Sequence, residues 1–283
     1  MLNQTNLVSN LKINILDNSF LFAFSITLLA GLSTVIGSFV VFFKKSLKTG
    51  WLSFSMSFAA GVMLYVSFVE ILPNSILMFK ESQNSVDFFI TNNYVNLILF
   101  FLIGCLIAVF IEKLLPDQKI NDQIGKNFTT KRKIYRSGLL IALSLAFHNF
   151  PEGIITFMEC YTNLFSGLAI AIAIALHNIP EGMSISVPIY HATGSKKKAV
   201  LYTALSGVTE PIGALFCYFL IKDGLDPFVE ASIMSFVSGI MVFISLFVLI
   251  PMSIQYKTKF QHVTGILSGS LIIGLSILML NSL

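Results

Sequence analysis

Eight stretches of this chain are long and apolar enough to cross a lipid bilayer, and they restrict its fold more than any other feature. A spanning helix needs about 20 predominantly apolar residues. The stretches run near 19–43, 51–79, 94–115, 135–158, 163–190, 198–221, 228–252 and 262–281. Charged residues make up 11% of the chain, against about 25% in soluble domains. The expectation is an all-α polytopic membrane protein, with residues 1–283 forming one transmembrane domain. The amino-terminal end has no basic region, and its first apolar run is too long for a signal peptide, so that run is expected to stay as a span. Cys105, Cys160 and Cys217 are far apart and form no CxxC, which leaves neither a disulfide framework nor a thiolate metal site.

Basic residues alternate between the two sides of this array. Lys44, Lys45 and Lys48 follow the first span; Lys113, Lys119, Lys126, Lys131, Arg132, Lys133 and Arg136 lie between the third and fourth. Lys196, Lys197 and Lys198 follow the fifth, and Lys257 and Lys259 the seventh. Only Lys12, Lys80 and Lys222 fall on the opposite side. By the positive-inside rule the crowded side is cytoplasmic and both termini lie outside. The polar segment 117–133 reads as a flexible cytoplasmic connection without histidine, and its charge as a topology signal rather than a nucleic-acid site.

Three pairs of segments resemble one another. GVMLYVSFVEILPNS at 61–75 matches GIMVFISLFVLIPMS at 239–253, and AGLSTVIGS at 30–38 matches SGVTEPIGA at 206–214. HNFPEG at 148–153 matches HNIPEG at 177–182. Thus the first span pairs with the sixth, the second with the seventh and the fourth with the fifth. The charge map runs each pair in opposite directions, giving an inverted repeat arranged three, two, three. Such repeats are typical of secondary transporters, which bind substrate near the bilayer midplane at broken helices.

The doubled motif carries the chemistry. His148 and Glu152 are four apart, as are His177 and Glu181, which places imidazole and carboxylate on one helix face about 6 Å apart along the axis. Pro151 and Pro180 lack an N–H and push off the carbonyls of Phe147 and Leu176. Asn149 and Asn178 add an amide to each kink; they either bridge helices or ligate, and their place in the repeat favours ligation. Nitrogen and carboxylate donors together suit divalent transition metals, zinc among them. Ionisable groups inside a membrane are costly and mark functional sites. Glu210, followed by Pro211, is a further candidate metal ligand, and its repeat partner Thr34 shows that symmetry alone does not require an acid there. Glu70, three residues before Pro73, is either a carboxylate at the pathway's entrance or exit or a buried acid bonded to a neighbouring hydroxyl or backbone group.

At these residues the sequence resembles the ZIP (Zrt/Irt-like) family of metal transporters, in particular its bacterial zinc-uptake branch. The likeness runs from AGLSTVIGS through YVSFVEILP, HNFPEG and HNIPEG to SGVTEPIGA. It implies eight helices with both termini outside and a binuclear metal site between helices 4 and 5. By that resemblance His148, Glu152, His177 and Glu181 form the first metal site, and Asn149, Asn178 and Glu210, sharing Glu152 and Glu181, form the second. Two features depart from it. Phe247 and Val248 stand where relatives often carry an acidic pair before the helix-7 proline, and no histidine-rich cytoplasmic loop is present.

The function expected is secondary transport of Zn²⁺, and of Fe²⁺, Mn²⁺ or Cd²⁺, into the cytoplasm across the bacterial inner membrane. The metal is substrate, so neither a cofactor nor a catalytic residue is expected. Divalent ions and the bilayer are the partners implied, with a homodimer open and no nucleic acid. An intramembrane zinc hydrolase is the main rival, but such enzymes usually carry HExxH with a general base beside the metal, which HNxPEG does not supply. An ion channel is the third reading, distinguished by unsaturable, fast flux.

Overall fold

The computed structural model describes residues 2–43, 49–82, 92–114, 126–220, 226–255 and 259–281. Among them no strand occurs, and eight helical spans are long and apolar enough to cross a membrane. The chain is a multi-pass membrane protein. The first span is α1 (Leu2–Ser38) with a terminal 3₁₀ turn, and the second is α2 (Thr49–Tyr65) and α3 (Leu72–Glu81), joined by a π-helical turn at Val66–Ile71. Single helices form the third, fourth and fifth: α4 (Asn93–Leu114), α5 (Lys126–Thr162) and α6 (Leu164–Thr193). The sixth is α7 (Lys196–Gly207) and α8 (Thr209–Leu220), broken at Val208. The seventh is α9 (Pro227–Phe243) and α10 (Ile250–Gln255) around a second π-helical turn, Ile244–Leu249; α11 (Lys259–Asn281) is the eighth.

The polar segment expected at 117–133 needs correction. Residues 117–125 lie outside the described residues, but from Lys126 onward the chain is already α5. No proline interrupts 126–150, and lysine and arginine are good helix formers, so the helix continues beyond its apolar part.

Local chemistry explains the breaks. Pro73 and Pro251 each lack the N–H that would bond one turn back, and each ring crowds the carbonyl four residues earlier. Widening the preceding turn relieves this: Leu72 N–H reaches Ser67 O and Ile250 N–H reaches Ser245 O, both i→i−5. The two π turns occupy matched positions of the repeat. In the sixth span Pro211 cannot donate to Gly207 O, and α8 starts afresh at Thr209. Between α6 and α7, Gly194 turns the chain at φ +68, and Ser195 caps α7 by accepting from Lys198 N–H at 3.3 Å. Asp226 caps α9 through Phe228 N–H at 2.8 Å.

The helices pack in two groups. α1, α5, α6, α7 and α8 form one; α2, α3, α4, α9, α10 and α11 form the other. α2 against α6 is the main seam between them. α4 and α11 turn large apolar side chains outward, including Leu106, Phe110, Leu267 and Leu271, as lipid contact requires.

Candidate metal site

Both copies of the motif are held the same way. A Cβ on Gly153 would collide with the Glu210 backbone of α8, and one on Gly182 with the Thr34 backbone of α1. Each motif glycine therefore lets its helix lie directly on the neighbour's main chain. The asparagines repeat this pairing. Asn149 Nδ2 donates to Ser206 O at 3.3 Å, and Asn178 Nδ2 to Ala30 O at 3.0 Å. Glu210 and Thr34 are repeat partners, and so are Ser206 and Ala30. Inverted symmetry is thus written into the contacts as well as the letters.

Between these anchors α5 and α6 bring the ionisable groups together. The His177 Nε2–H faces Glu152 Oε1 at 2.7 Å. His148 Nε2 is 3.4 Å from Glu152 Oε2 and 3.4 Å from Glu181 Oε1. The two imidazole rings are 6.5 Å apart, centre to centre. His148, His177 and Glu181 each offer one donor atom, and the three lie within 4.8 Å of one another. All of these side chains are buried. Glu210 joins from α8, its Oε1 accepting from Asn178 Nδ2 at 2.5 Å.

The hydrogen bonds leave over both ring nitrogens of His148 and a larger set of oxygens. Asn149 Oδ1, Asn178 Oδ1, Glu152 Oε2, both carboxylate oxygens of Glu181 and Glu210 Oε2 are buried without a hydrogen-bond partner. Buried acceptors are normally satisfied, and burying a carboxylate without a counter-charge is costly. Each asparagine uses its nitrogen to tie helices and keeps its oxygen free, so bridging and ligating are compatible. Thr34 Oγ1 and Ser206 Oγ are also unpartnered, and neither was singled out from the sequence. Their repeat positions, opposite Glu210 and next to the Asn149 anchor, were the available signal.

Two cavities flank the cluster. The first, about 130 Å³, is lined by His148, Glu152 and His177 from α5 and α6 and by Glu70 and Asn74 from the second span. Glu70 is half-buried, and its Oε1 accepts from Asn74 Nδ2 at 3.4 Å, so it has an amide partner rather than a serine. The second, about 420 Å³, lies at the other end of α5, lined by Glu112, Lys133, Arg136, Leu140, Phe247 and Val248. Ile141, Leu145, Ile185 and Ile189 are fully buried along α5 and α6 on the second cavity's side of the cluster.

A family model described as ZIP Zinc transporter matches residues 117–277. The Zinc transporter ZupT of Streptococcus mutans is 41% identical over 260 residues, covering 91% of this chain and 97% of that protein. Those of Clostridium perfringens and Chlorobaculum parvum are each 40% identical, covering 93% of this chain and 97% and 99% of theirs. The chain belongs to the ZIP family. As a ZIP protein it is a transporter and not an enzyme, and metal is its substrate rather than a cofactor. The doubled motif of this ZIP chain lies in α5 and α6, both within the span of the family match.

Proposed function

We propose that this protein imports Zn²⁺ into the cytoplasm, with Fe²⁺, Mn²⁺ and Cd²⁺ as further cargo, through a two-ion site between α5 and α6. The observation that carries this reading is the set of buried oxygens without hydrogen bonds that converges with two imidazoles. His148, His177, Glu152 and Glu181 form the nitrogen-containing site, a donor mixture suited to tetrahedral zinc. Asn149, Asn178 and Glu210, with shared Glu152 and Glu181, form an oxygen site. Three buried carboxylates need positive charge nearby, and dications supply it.

The crowded basic side faces the cytoplasm, so both termini and the first cavity face outward in the bacterial inner membrane. Glu70 and Asn74 then stand at the entrance, where a carboxylate draws dications in before they meet Glu152. Every proposed ligand comes from one chain, so a homodimer would hold one complete pathway per protomer. The name ZupT borne by the relatives, and the zinc in it, support the choice of zinc.

The test is zinc uptake by purified protein in sealed proteoliposomes. Saturable uptake is expected from the unsubstituted chain. Glu181→Ala should lose nearly all of it while still inserting in the membrane, because Glu181 is fully buried in the cluster and both its oxygens are free to bind metal. Full-rate uptake by Glu181→Ala would sink the site.

A further inference from the structure

Leu140, Ser144, His148 and Glu152 recur every four residues on α5 and share one face of that helix. The ladder spans the closed layer: His148 and Glu152 line the outer cavity and Leu140 lines the inner one. Ser144 sits between, about 6 Å along the axis from its neighbours on either side. It is fully buried, and its hydroxyl has no hydrogen-bond partner.

That state is unusual in this molecule. Thr27, Thr156, Ser184, Thr203, Ser235 and Ser245 all turn back to a carbonyl three or four residues earlier. Among the described buried hydroxyls only Thr34, Ser206 and Ser238 share the condition of Ser144. Thr34 and Ser206 belong to the backbone segments that anchor the oxygen site. The other side chains from Leu140 to Phe147 are apolar, so Ser144 is the one polar group on α5 between cluster and inner cavity. Its counterpart four residues before His177 is Ala173, which lines the outer cavity. The hydroxyl is therefore placed on the inward step alone, and the repeat does not demand it.

We propose that Ser144 is a transit ligand: its oxygen takes the metal as the ion leaves His148 and Glu181 for the inner cavity. This rests on reading the cluster as the transport site. A dication moving through an apolar layer loses coordination at great cost. One oxygen midway divides a gap of about 12 Å into two steps of about 6 Å. Beyond it the inner cavity offers the Glu112 carboxylate, whereas Phe247 and Val248 offer no ligand.

Zinc binding to the detergent-purified protein by titration calorimetry, and zinc and cadmium uptake in proteoliposomes, test this together. Ser144→Ala should bind zinc within about twofold of the unsubstituted chain yet lose about fivefold or more in uptake at saturating zinc. Ser144→Thr should keep most of the rate. Ser144→Cys should raise the cadmium-to-zinc uptake ratio, because sulfur favours softer ions. Native uptake by Ser144→Ala, or an unchanged cadmium-to-zinc ratio in Ser144→Cys, would overturn the assignment of Ser144 alone. Failure of the unsubstituted chain to bind zinc would overturn the site and Ser144 with it.

Discussion

Single residues in this protein carry two duties at once, and the asparagines show it best. Asn178 donates to Ala30 O and to Glu210, which fixes both α1 and Glu210 relative to the motif while leaving its oxygen unpaired. The kinds of donor were legible from HNxPEG, because i,i+4 spacing dictates a shared face. Their anchors were not, since nothing in a lone sequence pairs an amide nitrogen with a carbonyl on another helix. The same holds for Asn74 at Glu70. Selectivity belongs at this scale. In the two-ion reading proposed above, the site with His148 and His177 offers nitrogen, from which zinc gains most, whereas the one with Glu210 offers oxygen alone, which Mn²⁺ tolerates better. Glu210→Ala should therefore impair Fe²⁺ and Mn²⁺ uptake more than Zn²⁺ uptake, and His148→Ala should do the reverse. Initial uptake of each ion at matched protein amounts decides it, and equal proportional losses would mean that the ligands act as one centre.

At the scale of elements, hydropathy made the helices legible and their interruptions opaque. Length and apolar composition mark each span, but they do not show where a turn widens. The π turns at Val66–Ile71 and Ile244–Leu249 arise from a proline's effect on the turn before it, and a hydropathy profile does not contain that. The start of α5 was missed for the converse reason: polar residues outside a membrane can still be helical. The motif glycines link sequence to packing more directly. Gly153 and Gly182 occupy equivalent positions of the repeat, each against the main chain of a neighbouring helix, where rigid backbone cannot move aside as a side chain can. Gly153→Val and Gly182→Val should each cost about 1–3 kcal/mol or more through overpacking. Both should lower the unfolding temperature in detergent and abolish uptake. Gly194→Ala is the contrast, since open space surrounds it and only the strain of its positive φ is at stake, about 1–2 kcal/mol. A Gly153→Val protein as stable and active as the unsubstituted one would refute the close α5–α8 approach.

The molecule as a whole is asymmetric about its membrane plane although its contacts repeat. On the orientation proposed from the basic residues, the outward cavity reaches His148, Glu152 and His177, while the inward one stops at Leu140, short of the cluster. On that orientation the outer solution has the shorter path to the imidazoles, for protons as well as for metal. Metal binding needs neutral imidazole and ionised carboxylate, so protons compete with it. The sign follows directly: as outside pH falls through the imidazole range, about 6.5 for an unperturbed histidine, apparent affinity for outside zinc weakens. In proteoliposomes held at about pH 7.5 inside, lowering the outside from about 7.5 to about 5.5 should raise the half-saturating zinc concentration. Lowering only the inside should change it far less, because Ile141, Leu145, Ile185 and Ile189 lie on the inner side of the cluster. The comparison needs protein inserted in one orientation, scored by protease access to one terminus. Equal sensitivity to both compartments would mean that the apolar layer does not separate the site from the inner solution. Sensitivity to the inside alone would reverse the orientation assigned from the basic residues and make the cavity beside Glu70 the exit.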